Sequence, residues 1–157
     1  MISKRKPAIA VIGAGKCSKK LQDMAAAVGR YIAENGGVLV CGGLGGIMEG
    51  AARGAKEAGG TTIGIIPTDN KADANAFIDY VIVTGLGHAR NILVVNTADA
   101  IVALPGKYGT LTEMAFALNA GKPIVSVSAW KLGEEIRQAE DPLEAARIAL
   151  EMARKAI

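Results

Sequence analysis

Val38-Leu39-Val40-Cys41 runs straight into Gly42-Gly43-Leu44-Gly45-Gly46-Ile47-Met48, a short apolar strand passing through a glycine-rich turn into a helix. The same grammar recurs on both sides. Ala8 to Ile12 is an apolar run that meets Gly13-Ala14-Gly15-Lys16-Cys17-Ser18, and Asp99 to Leu104 meets Pro105-Gly106-Lys107-Tyr108-Gly109-Thr110. Further Val/Ile runs at Thr61 to Ile66, Tyr80 to Val83 and Pro123 to Val127 alternate with helical patterns. Uninterrupted apolar strands separated by helices are the mark of a parallel sheet covered on both faces. The fold class is therefore α/β, a three-layer doubly wound (Rossmann-like) sheet, with ligands expected at the carboxyl ends of the strands.

The helices carry their own punctuation. Ser18 is placed to cap a helix whose apolar face is Leu21, Met24, Ala25, Val28 and Ile32, and Asn35-Gly36-Gly37 ends it. The Gly42–Gly46 turn opens a helix ending near Gly59-Gly60, and a helix containing Arg90 follows the fourth strand. The tail after the sixth strand reads as helical, and Asp141-Pro142-Leu143-Glu144 supplies an N-cap, a proline at the first position and a returning glutamate. Pro67 to Ala76 is polar and reads as the most mobile loop. No repeat and no linker interrupts the pattern, so residues 1–157 read as one nucleotide- or phosphate-binding domain.

Composition narrows the function. Half of the 157 residues are hydrophobic and 21% are charged, which excludes disorder. Aromatics make up 4% and the net charge is +3 with scattered Lys and Arg, a mild bias toward anionic ligands that argues against nucleic acid. Cys17 and Cys41 fall at the ends of two predicted strands without metal-binding spacing, and with the single His88 they do not form a zinc site. No metal and no cofactor is implied. Met1 to Lys6 ahead of an apolar run imitates a secretion signal, but Pro7 to Val11 reads as strand, and no stretch approaches the ~18 apolar residues of a membrane span. A cytoplasmic protein without membrane contact is expected.

Glycine in a strand-to-helix turn lets backbone N–H groups approach an anion, and the helix N-terminus adds partial positive charge. Gly13 and Gly15 resemble part of a dinucleotide fingerprint. However, the second strand ends in Cys41-Gly42 where that fingerprint needs an acid, and a Walker loop fails because Cys17 follows Gly15-Lys16. Four glycines in the five residues Gly42 to Gly46 exceed what a turn requires, and close approach of a ligand would explain them. For Thr110-Leu111-Thr112-Glu113 two readings stand side by side. One is a Thr-x-x-Glu capping box; in the other Thr110 grips a phosphate and Glu113 faces the ligand.

The segments Cys41 to Met48, Ala89-Arg90-Asn91 and Leu104 to Glu113 together resemble the LOG family, formerly labelled lysine decarboxylases, from the first strand to about the sixth. The resemblance implies hydrolysis of the N-glycosidic bond of a nucleoside 5′-monophosphate, with Arg90 and Glu113 as the catalytic pair. It implies a ligand loop of Gly106, Lys107, Tyr108, Gly109 and Thr110, with Gly42, Gly43, Gly45, Gly46, Met48, Gly13 and Gly15 around it. Two departures stand out: Arg90-Asn91 where phosphoribohydrolases carry Arg-Lys, and Lys107 where they carry a second glycine. Arg-Asn is similar to the branch that includes molybdenum-cofactor carrier proteins, so the alternative is a non-catalytic carrier or sensor of a phosphorylated pterin or nucleotide. A pyridoxal-type decarboxylase is not supported. The family forms dimers, and the run Ile92-Leu93-Val94-Val95 reads as a helix buried in the core or under a partner, giving a homodimer or higher oligomer.

Overall fold

The computed structural model describes residues 4–157; Met1–Ser3, the start of the segment that imitates a secretion signal, lie outside the described residues. Twelve elements alternate along the chain: β1 (Ala8–Ile12), α1 (Lys19–Glu34), β2 (Val38–Cys41), α2 (Ile47–Glu57), β3 (Thr62–Ile66), β4 (Tyr80–Val83), α3 (Asn91–Thr97), β5 (Ala100–Ala103), α4 (Tyr108–Asn119), β6 (Ile124–Ser126), β7 (Arg137–Gln138) and α5 (Pro142–Lys155). The seven strands form one sheet in the order β4-β3-β2-β1-β5-β6-β7, every pair parallel.

Strand periodicity sorts the core into two layers. Ile9 and Val11 of β1 pack with α1, α2 and α5, whereas Ala10 and Ile12 pack with α3 and α4. Helices α1 and α2 meet through glycines. A methyl group on Gly29, Gly50 or Gly54 would collide with the backbone oxygen of Ala51, Gln22 or Ala26, respectively. Ser18 caps α1 as its position suggests, its Oγ accepting from Leu21 N at 3.3 Å. At α5, Asp141 accepts from Glu144 N, and the Glu144 carboxylate returns to the N–H of Glu140, one residue before the cap.

Four local readings are revised. The tail is not wholly helical, because Arg137–Gln138 adds β7 beside β6. Arg90 closes a short 3-10 turn, Gly87–Arg90, and precedes α3 instead of lying within a helix. Within Ile92-Leu93-Val94-Val95, Val94 and Val95 are core residues and only Ile92 is exposed. The Pro67–Ala76 loop is anchored: Asn75 donates from N to Gly43 O at 2.9 Å and from Nδ2 to Leu44 O at 2.8 Å. Among the described residues no helix is long and apolar enough to cross a membrane.

Strand order places the candidate site. The chain builds outward from β1 through β2 and β3 to β4, then returns to lay β5 against the other side of β1. The loops leaving β1 and β5 therefore diverge into helices on opposite faces, and a crevice opens at this switch point.

Candidate functional site

A cleft of about 640 Å3 occupies that crevice, running from the loops after β5 and β1 to those after β2 and β3. Of the residues singled out in the sequence, Gly13, Gly15, Gly42, Met48, Arg90, Lys107, Gly109, Thr110 and Glu113 line it. Gly43, Gly45, Gly46, Gly106 and Tyr108 do not line it. Lys16, Thr68, His88 and Asn91 do, without having been expected. The polar loop after β3 and the 3-10 turn carried no spacing signal that would have put Thr68 and His88 there.

The glycines answer mainly to the protein itself. Gly43 and Gly46 adopt φ of 75° and 62°, where a side chain is strained. A methyl group on Gly46 would collide with Ala14 O, because the loops after β1 and β2 are stitched by Ile47 N donating to Ala14 O at 2.9 Å. On Gly42 it would lie 2.7 Å from the Arg90 guanidinium, and on Gly106 it would overlap Thr110 Oγ1. Gly15 and Gly109 differ: both line the cleft, and a methyl group there would meet only Met48 Cε at 3.8 Å or Asn91 Nδ2 at 4.0 Å, ordinary contacts.

The capping box is not formed. Helix α4 begins at Tyr108 with Lys107 as its N-cap, so Thr110 and Glu113 both lie inside the helix, and the cap has no side-chain hydrogen bond. Lys107 has φ −102°, so lysine replaces the family glycine without left-handed strain. Among the described residues, the N–H groups of Tyr108, Gly109 and Thr110 have no partner. Free donors at a helix N-terminus bind anions well, and two of these three, on Gly109 and Thr110, belong to residues that line the cleft.

One turn further in, Glu113 is 7% exposed, and its carboxylate accepts no hydrogen bond from the described residues. Burial pushes its pKa up to about 7, and the positive charge of Arg90 offsets this only in part. Arg90 is 7% exposed and is anchored rather than paired. Its Nε donates to Ile65 O at 2.9 Å, one terminal nitrogen to Gly42 O at 3.3 Å and the other to Asn91 Oδ1. No Arg90–Glu113 contact within 4.0 Å is formed. Burial lowers the Arg90 pKa, and the charge of Glu113 works against that.

Asn91 extends the anchor toward the first turn of α4. Its Nδ2 donates to Thr112 Oγ1 at 3.2 Å, and that hydroxyl donates to Gly109 O at 2.7 Å. Asn91, the first departure from the family pattern, is thus the link between the buried guanidinium and the first turn of α4. Cys41 is buried at the end of β2, its pKa raised by burial to about 11, and its Sγ accepts from Gly43 N at 3.4 Å.

The sequence pattern of the SLOG cluster4 family matches residues 6–156. An uncharacterized protein of Archaeoglobus fulgidus is 45% identical over 87% of this chain and 90% of its own length. The cytokinin riboside 5′-monophosphate phosphoribohydrolase of Mycobacterium tuberculosis is 38% identical over 71% of this chain, and the match spans 64% of that enzyme, less than two thirds of its length. Among solved structures, the molybdenum cofactor binding protein of Rippkaea orientalis superposes with a TM-score of 0.86 at 35% identity, covering 93% of this chain and 96% of that one.

Proposed function

This chain belongs to the SLOG cluster4 family, and from that membership and the geometry of its cleft we propose that it binds a phosphorylated small molecule and hydrolyses the N-glycosidic bond of a nucleoside 5′-monophosphate. The observation that carries this reading is the buried carboxyl of Glu113, free of protein donors and one turn from the free amides of Gly109 and Thr110, all three residues lining the same cleft. The amides of Tyr108, Gly109 and Thr110 hold the phosphate, with Lys16 and Lys107 at the rim. The cleft crosses three inter-strand steps of about 4.8 Å, or roughly 14 Å, long enough for phosphate, ribose and ring laid end to end.

Glycosidic cleavage builds positive charge at the anomeric carbon. Ionised Glu113 stabilises that charge and orients the attacking water as general base. Arg90 acts chiefly from a fixed position: bound to two carbonyls and Asn91, it presents its remaining N–H groups and its charge to ligand oxygens without reorganising. Because Glu113 must be ionised, turnover rises with pH through about 7.

The test is to incubate the protein with a panel of nucleoside monophosphates and separate free base by chromatography. Base release by wild type, lost in Glu113→Ala with ligand still bound, is the expected result. A second reading, a carrier of a phosphorylated pterin or nucleotide, is favoured by one observation: near end-to-end agreement with the Rippkaea orientalis protein, against a partial match to the hydrolase. Absence of base release by wild type, with a phosphorylated ligand raising Tm, selects it.

We also propose a homodimer. Tyr80, Ile82, Val83, Leu86 and Ile92 are all exposed, and β4 is an edge strand free of charge. Sedimentation as a monomer at micromolar concentration would rule this out.

A further inference from the structure

Trp130, the only tryptophan of the chain, lies outside the cleft and outside the glycine-rich turns. Its indole is partly exposed, yet Nε1 donates to Lys107 O at 3.0 Å. That carbonyl also accepts the first hydrogen bond of α4, from Leu111 N at 3.0 Å. The indole further stacks on the ring of Tyr108, with centroids 6.3 Å apart and planes 23° apart. The loop delivering it contains Ser128, at φ 54° the only non-glycine residue with positive φ among the described residues, followed by Ala129 N donating to Ser126 Oγ at 3.3 Å. A strained turn that persists is held by the contacts around it.

The carbonyl that Trp130 holds belongs to the same peptide plane as the N–H of Tyr108. In a trans peptide the two groups point in opposite directions. Fixing Lys107 O from outside therefore aims the Tyr108 N–H, first of the three free donors, toward the opposite side. The stack on Tyr108 fixes the next residue in turn. We propose that Trp130 is a positioning residue that sets the anion-binding turn of α4 from behind, without touching the ligand. It supplies a restraint that the helix lacks, since the N-cap Lys107 has no side-chain capping bond. This rests on the reading of that turn as the phosphate site.

The experiment compares wild type with Trp130→Phe, which keeps an aromatic ring and loses the N–H, in calorimetric titrations with adenosine 5′-monophosphate and with adenosine. The expected result is a three- to tenfold loss of affinity for the monophosphate, the size of one lost hydrogen bond, with adenosine binding unchanged. Monophosphate affinity within twofold of wild type, or an equal loss for both ligands, overturns the proposal while leaving the phosphate site intact. If wild type binds adenosine as tightly as the monophosphate, the phosphate reading fails and takes this proposal with it. Should Trp130→Phe not fold, wild-type emission decides: the monophosphate should shift Trp130 fluorescence and adenosine should not. Unchanged emission at saturating monophosphate overturns the proposal.

Discussion

Replacing Glu113 by Gln tests the electrostatics of the cleft without any ligand. In the unfolded chain the carboxyl titrates at its ordinary 4.5, and in the folded protein burial raises this to about 7. The folded state holds a proton between those values that the unfolded state releases. The contribution to stability is therefore fully present below pH 4.5, falls as pH rises, and is gone above about 7. At about 1.4 kcal/mol for each tenfold change in proton affinity, the whole effect is about 3 kcal/mol. Glutamine has nearly the same shape and no proton to lose, so Glu113→Gln should show no such decline. The variant should exceed wild type by well under ~1 kcal/mol at pH 4.5, about 1 kcal/mol at pH 5.5 and about 3 kcal/mol at pH 8. For a chain of this size the last figure corresponds to roughly 6–12 °C in Tm. Urea unfolding followed by far-UV circular dichroism from pH 4.5 to 8.5 measures it. Parallel pH profiles for the two proteins, or a wild type more stable at pH 8, would refute the reasoning: Arg90 would then compensate the ionised carboxylate fully. A stability gain coupled to lost turnover is the trade expected of a functional carboxylate held in an unfavourable place.

Three further substitutions and one reagent probe the same architecture. Gly106→Ala places a methyl group onto Thr110 Oγ1 and should cost about 1–3 kcal/mol by overpacking, whereas Gly109→Ala meets nothing closer than 4.0 Å and should leave stability within about 1 kcal/mol; thermal melts compare the two, and equal losses would contradict the packing described. Arg90→Lys cannot reproduce the bonds to Ile65 O, Gly42 O and Asn91 and should lose about 2–4 kcal/mol in urea unfolding, as expected when a buried, bonded charge loses its partners. Cys41, fully buried with its thiol pKa raised to about 11, should resist iodoacetamide at pH 8 until urea unfolds the chain, while half-buried Cys17 reacts in the native state; peptide mapping by mass spectrometry distinguishes them.

What the sequence makes legible follows from how locally each feature is determined. Strands β1, β2, β3, β5 and β6 are largely buried between the helical layers and the edge strand β4 is apolar though exposed, so each is a short apolar run, and each lies within two residues of its expected bounds. Strand β7 is two exposed polar residues, held by its neighbour β6 rather than by any pattern of its own. The site divides along the same line. Arg90, Gly109 and Glu113 could be singled out because a motif places them, but their environments come from distant segments. Thr110-x-x-Glu113 has the spacing of a capping box, yet the start of α4 lies at Tyr108, where the carbonyl of Lys107 is held by an indole 23 residues away. The glycines of the Gly42–Gly46 loop look like ligand contacts when read along the chain. Across the fold, Gly42 makes room for Arg90 and Gly46 for Ala14. A short-range pattern therefore identifies which residues matter here, while the partners that turn Glu113 from a cap into a buried, near-neutral acid belong to the strand order β2-β1-β5, which no local spacing encodes.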